Sequence, residues 1–161
     1  MSVSNNVCSC KSGKKILDKY YRKVIGENLS IKKQQYIKKS IILDEYMQGE
    51  LNNLARSLAS LLAVKSPNKL GPLKDILTSF LGFFPVYRLY DESFPLVANN
   101  FDLLSSLFKK LTRKPELDQK LVNQFRELFE QAQADSKSLS HTVVADFFLR
   151  CMQLAGPVMA L

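Results

Sequence analysis

Four side chains able to hold a ligand fall within seven residues. They are Phe84, Tyr87, Arg88 and Tyr90 of the run FPVYRLY. The run has no helical periodicity, and Pro85 pushes Phe84 towards extended geometry. Aromatic faces beside a guanidinium suit a polar ring-shaped ligand, such as a sugar stacked on an aromatic side chain. The same residue types also suit a segment that buries its rings between helices. Other chemistry is sparse. His141 is the only histidine, and it sits beside an expected helix start. There is no HExxH, CxxC or Gly-rich phosphate loop, so no cofactor and no metal is expected. Asp44/Glu45, Asp91/Glu92 and Glu127/Glu130 are the paired carboxylates. Adjacent helical residues diverge, and Glu127/Glu130 lie among charged neighbours, so all three pairs read as solvated faces.

A chain of 161 residues holds one ordinary domain. With 46% apolar and 24% charged residues it is neither disordered nor collagenous. No apolar run reaches the length of a membrane span. Residues 1–12 lack the apolar core of a signal peptide. Cys8, Cys10 and Cys151 have neither disulfide nor zinc spacing and read as reduced thiols of a cytoplasmic protein. The net charge of +8 is confined to residues 1–70. Lys32, Lys33, Lys38 and Lys39 are scattered around one helix, so neither a nucleic-acid nor a membrane partner is expected.

Helical spacing dominates and predicts an all-α domain, an irregular bundle of about six helices with one long member. Residues 1–13 are polar and read as a flexible lead-in. Lys14–Ile25 reads as a short helix stopped by Gly26. Ser30 reads as the N-cap of a long helix Ile31–Val64, about 50 Å at 1.5 Å per residue, which Gly49 could bend or break. Its apolar positions include Ile37, Ile41, Leu51, Leu54 and Leu58. Pro72 opens Leu73–Leu81, with Leu73, Ile76, Leu77, Phe80 and Leu81 as its stripe. Further helices are predicted at Phe94–Leu111, at Pro115–Ala134 and at His141–Leu154. Gly156-Pro157 is expected to break the last, leaving Val158–Ala160 extended.

FPVYRLY is similar to the FPVYRTY signature of the malto-oligosyltrehalose synthases, members of the α-amylase superfamily. Phe147–Ala160 (FFLRCMQLAGPVMA) resembles that family's F-x-x-R-F-Q-Q-x-T-G-P-V-M-A stretch. Leu43–Arg56 (LDEYMQGELNNLAR) resembles its helix with an E-L-x-x-L-A core, and Tyr21–Glu27 (YRKVIGE) the run before it. The match covers roughly residues 14–160. Leu89 replaces Thr, Cys151-Met152 replace Phe-Gln, Ala155 replaces Thr, and Leu161 stands where the family has Lys.

The resemblance implies that residues 14–160 are a helical insertion normally carried by a (β/α)8 barrel. The parent enzyme converts the reducing-end α-1,4 linkage of malto-oligosaccharides to α,α-1,1 in trehalose biosynthesis. Its nucleophile Asp and acid/base Glu are expected before residue 1, and its third Asp after residue 161. No catalytic residue is therefore assigned here, and the chain is expected to be inactive alone. Phe84, Tyr87, Arg88, Tyr90 and Met159 are expected to line or support the reducing-end subsites. The partners implied are a malto-oligosaccharide and the barrel of the same polypeptide. The alternative is an independent basic helical interaction module.

Overall fold

The computed structural model describes residues 30–84, 94–134 and 139–160, with helical positions 13, 16, 19, 20 and 23. The expected lead-in over residues 1–12 and most of the predicted helix Lys14–Ile25 lie outside the described residues. Every regular element among those described is helical. They are α1 (Ile31–Glu45), α2 (Gln48–Leu61), a 3-10 turn (Pro67–Lys69), α3 (Leu70–Gly82), α4 (Ala98–Leu111), α5 (Gln119–Ala134) and α6 (Leu139–Ala160). The chain divides into two compact units, Met1–Gln34 and Gln35–Leu161. The packing described below belongs to the second.

The predicted 34-residue helix is two helices. The break is at Tyr46–Met47, not at Gly49. The amides of Tyr46 and Met47 both donate to the Ile42 carbonyl, at 2.9 and 3.2 Å, which closes α1. Met47 then opens α2 with φ −121° and ψ 27°, outside helical geometry. The break separates two burial phases. Leu51, Leu54, Ala55 and Leu58 line the buried face of α2, whereas α1 buries Lys39 and Leu43. Ile37 and Ile41, expected on the apolar side, are 38% and 46% exposed. On one continuous helix the centres of the two sets would stand about 90° apart, and the break turns each towards its own neighbours.

The stripes of the later helices are buried as the spacing predicts. Leu73, Ile76, Leu77, Phe80 and Leu81 of α3 are inaccessible to solvent. So are Leu104 and Leu107 of α4 and Phe125 of α5, with Phe108 and Phe129 barely touched by it. α2 packs on α3 and α6, α3 also meets α4 and α6, and α5 lies against α4 and α6. Between them sits an aromatic core. The Phe125 ring lies 5.0 Å from Phe108, 5.3 Å from Phe80, 5.4 Å from Phe148 and 6.0 Å from Phe147.

Several boundaries depart from the spacing. α3 begins at Leu70, so Pro72 lies within its first turn instead of opening it. α2 ends at Leu61 and α6 begins at Leu139. α5 begins at Gln119 instead of Pro115, because Asp118 caps it. Its Oδ1 accepts from the amides of Lys120 and Leu121 at 3.1 and 3.3 Å. The Lys69 ammonium at 2.6 Å, together with those amides, holds the Asp118 carboxyl below the usual carboxylate range. α4 begins at Ala98, four residues later than expected. α6 runs through Gly156-Pro157 to Ala160, so Val158–Ala160 is helical, not extended. Pro157 removes a backbone donor but faces solvent, while Ala155 and Val158 on either side are buried. Tertiary burial holds the final turn together.

Candidate functional site

Of the residues expected to bear on ligand chemistry, Phe84 lies just beyond the C-terminal end of α3, where FPVYRLY begins. Of the five site residues, Phe84 is fully described. Tyr87, Arg88 and Tyr90 lie outside the described residues. Met159 is placed in the last turn of α6 by its backbone, and its side chain is not described. The structure thus fixes the two flanks of the segment.

The N-terminal flank is held from three sides. The Phe84 ring is 1% exposed and packs edge-on against Phe80 at 5.8 Å. It faces the core and offers no open face to solvent. The Phe84 carbonyl accepts a 2.6 Å hydrogen bond from the Lys39 ammonium. Lys39, read from the sequence as part of a scattered cationic surface, is 7% exposed. Its neighbour Phe83 stacks on Tyr36, ring centroids 4.7 Å apart at 28°.

Tyr36 fits because position 82 is glycine. A Cβ there would stand 2.9 Å from Cδ2 and Cε2 of the Tyr36 ring. The ring is pinned in turn. Lys114 Nζ lies 4.5 Å from its centroid and 5.3 Å from that of Phe83, a cation–π arrangement. The Lys114 ammonium donates to Tyr36 Oη at 2.6 Å. Tyr36 Oη and Ser79 Oγ are 3.2 Å apart and hydrogen-bonded. Glu116 Oε1 is 3.3 Å from the same ammonium. Burial pulls the Lys114 ammonium down, but Tyr36 and Glu116 outweigh it and raise it above the ordinary lysine value. With these partners in place, Lys114 is a strut rather than a nucleophile.

The C-terminal flank is clamped by one side chain. The Gln133 carboxamide accepts from the Leu96 amide at 2.8 Å and donates to the Leu96 carbonyl at 3.0 Å. Phe94 is buried against Phe148 at 5.8 Å and Phe129 at 6.3 Å. Both ends of the stretch from Pro85 to Ser93 are therefore anchored to the same helical core.

Sequence reading missed Tyr36, Lys39, Lys114 and Gln133. A signal for the first two was present. Tyr36, Lys39, Ser40 and Leu43 share one helical side, so a lysine and a tyrosine stood on a stripe that ends in a buried leucine. Gln133 and Lys114 carried none, because their partners are distant in sequence.

Burial alone pushes the Lys39 ammonium below its ordinary value of 10.5. A base lowered in the fold binds fewer protons folded than unfolded. Its cost is full at neutral pH and is relieved as pH rises towards 10.5. Lys114, raised, contributes fully below 10.5 and is lost only above it. The stability of the native chain relative to Lys39→Met should therefore rise between pH 8 and pH 10. Urea unfolding of both proteins at each pH checks this; a flat or falling difference would contradict it.

Elsewhere, α2 and α6 enclose a groove of about 230 Å³. It is lined by Ser57, Ser60, Leu61, Val143, Asp146, Phe147 and Arg150. Cys151 is buried, and burial pushes its thiol well above the ordinary range, which makes it inert at neutral pH. Among the described residues no three His, Cys, Asp or Glu side chains gather to hold a metal ion. No described helix is long and apolar enough to cross a membrane. Comparison with family models, curated proteins and solved structures finds no match to the chain.

Proposed function

We propose that residues 14–160 act as a malto-oligosyltrehalose synthase-like helical insertion that shapes the reducing-end sugar subsites and carries no catalytic carboxylate of its own. The observation that carries this reading is the ordered pair of motifs, FPVYRLY at residues 84–90 and GPVMA at 156–160. The anchoring of both flanks of the first motif supports it, because a subsite wall must hold its position. A rigid scaffold carrying a functional loop is the usual division of labour.

The chemistry explains why such a wall is needed. Cleaving the terminal α-1,4 bond leaves a glycosyl-enzyme intermediate and a free glucose. That glucose must turn and attack through its anomeric hydroxyl before water does. A wall that retains glucose and excludes water converts hydrolysis into isomerisation. Barrel active sites open at the C-terminal ends of the strands, where inserted segments emerge. In this reading Tyr87 confines the glucose, Arg88 donates hydrogen bonds to its hydroxyls or fixes the loop through a carboxylate, and Tyr90 completes the aromatic lining. Phe84 supports the segment from the core side, and Met159 lies near the site in the strand-ward arm.

The chain alone should neither isomerise nor hydrolyse maltopentaose. Product analysis by anion-exchange chromatography checks this, and turnover by a homogeneous sample would overturn the reading.

A further inference from the structure

We propose that the groove between α2 and α6 binds a small zwitterion with an apolar side chain, an α-amino acid of leucine size. Asp146 and Arg150 line the groove from α6, one helical turn apart on the same side. A carboxylate and a cation at this spacing commonly pair, as Arg126 and Glu130 of α5 do at 3.5 Å. Asp146 and Arg150 do not pair, and neither has another ion-pair partner among the described residues. Both are exposed. α2 brings Ser57 and Ser60 to the same groove. The hydroxyls of Ser40 and Ser106 turn back onto carbonyls of their own helices. Those of Ser57 and Ser60 make no such bond among the described residues, which leaves them to a ligand.

Charge selects the ligand. One open carboxylate and one open guanidinium in the same groove favour neither an anion nor a cation alone. A molecule carrying both signs a few bonds apart satisfies the two together. Its ammonium meets Asp146, and its carboxylate takes the forked guanidinium of Arg150. The serine hydroxyls donate to the carboxylate lone pairs that remain. The rest of the lining is apolar and comes from Leu61, Val143 and Phe147. Val143 is 55% exposed, hydrocarbon surface that the ligand side chain covers. Size agrees. A cavity of about 150 Å³ admits benzene, and leucine is about half as large again, against a groove of about 230 Å³. Both charged partners are solvated, so binding is weak. The groove shares no residue with FPVYRLY, and its ligand binds whether or not the chain walls a sugar subsite.

Titration of the isotope-labelled whole chain with L-leucine, followed by the amide spectrum, tests this. The amides of Ser57, Ser60, Val143, Asp146 and Arg150 should shift and saturate, with a dissociation constant of about 0.1–1 mM. 4-Methylpentanoate lacks the ammonium, 3-methylbutylamine lacks the carboxylate and L-serine lacks the apolar body. Each should bind at least about fivefold more weakly. Asp146→Asn and Arg150→Gln should each weaken leucine binding about as much, and circular dichroism confirms that both variants are folded. No saturable shift by about 20 mM leucine would overturn the proposal. So would leucine shifts confined to other residues, variants that bind as the native chain does, or an analogue of single charge that binds as well as leucine. Maltose shifting these amides where leucine does not would overturn it in favour of a neutral sugar.

Discussion

Phe125→Ala should lower the stability of the chain by about 3–5 kcal/mol, the cost of truncating a fully buried phenylalanine. The reason is its position. Phe125 is inaccessible to solvent and touches rings from α3, α4 and α6 at once, through Phe80, Phe108, Phe147 and Phe148. Edge-on and offset ring pairs add to simple burial. Four neighbours on three helices cannot all collapse into the space left behind, so a cavity remains. Domains are stable by only about 5–15 kcal/mol, so the loss is a large share of the whole. A fall in melting temperature of about 10 °C or more should follow. Val97→Ala, on a side chain that is 59% exposed, should change stability by less than about 0.5 kcal/mol. Urea unfolding followed by circular dichroism checks both. A loss below about 1 kcal/mol for Phe125→Ala would mean that the aromatic core is not packed as described.

Gly82→Ala should destabilise the chain by about 1–3 kcal/mol, although alanine is the better helix former. At an open helical position the change would gain about 0.5–1 kcal/mol. Here the new methyl meets Cδ2 and Cε2 of Tyr36 at 2.9 Å. That ring cannot swing aside cheaply. It is stacked on Phe83 and held through its hydroxyl by Lys114 and Ser79. The strain falls at the entry to FPVYRLY, next to the Lys39–Phe84 hydrogen bond. Tyr36→Ala opens the space, so Gly82→Ala should cost less in a Tyr36→Ala background than in the native chain. A double-mutant cycle by urea unfolding measures that coupling. Additive effects would show that Gly82 and Tyr36 do not press on each other.

Much of the helical core was legible in the sequence because local spacing determined it. α3, α4 and α5 each carry an apolar stripe at helical period, and most of those residues are buried, with Phe101 and Leu128 partly so. The failures share a cause. The break at Tyr46–Met47 falls two residues before Gly49, the only local signal near it. It comes from the mismatch between the inner faces of α1 and α2, which only tertiary packing reveals. Gly156-Pro157 sent the opposite signal, and burial of Ala155 and Val158 overrode it. The flanks of FPVYRLY show the same division. Its aromatic content is visible in seven letters. Its anchors are not, because Lys39, Lys114 and Gln133 bind partners 35 to 78 residues away. A buried lysine and a solvated one look identical in one dimension.

That separation between a legible motif and a hidden scaffold defines the decisive experiment. Residues 14–160 should be placed in a malto-oligosyltrehalose synthase in exchange for its own helical insertion. The ratio of maltooligosyl trehalose to free glucose formed from maltopentaose is then measured, with and without Tyr87→Ala. If the segment walls the reducing-end subsite, the chimera isomerises, and Tyr87→Ala raises the share of glucose about tenfold as water gains access. A folded chimera that only hydrolyses, or whose product ratio ignores Tyr87→Ala, would contradict the account.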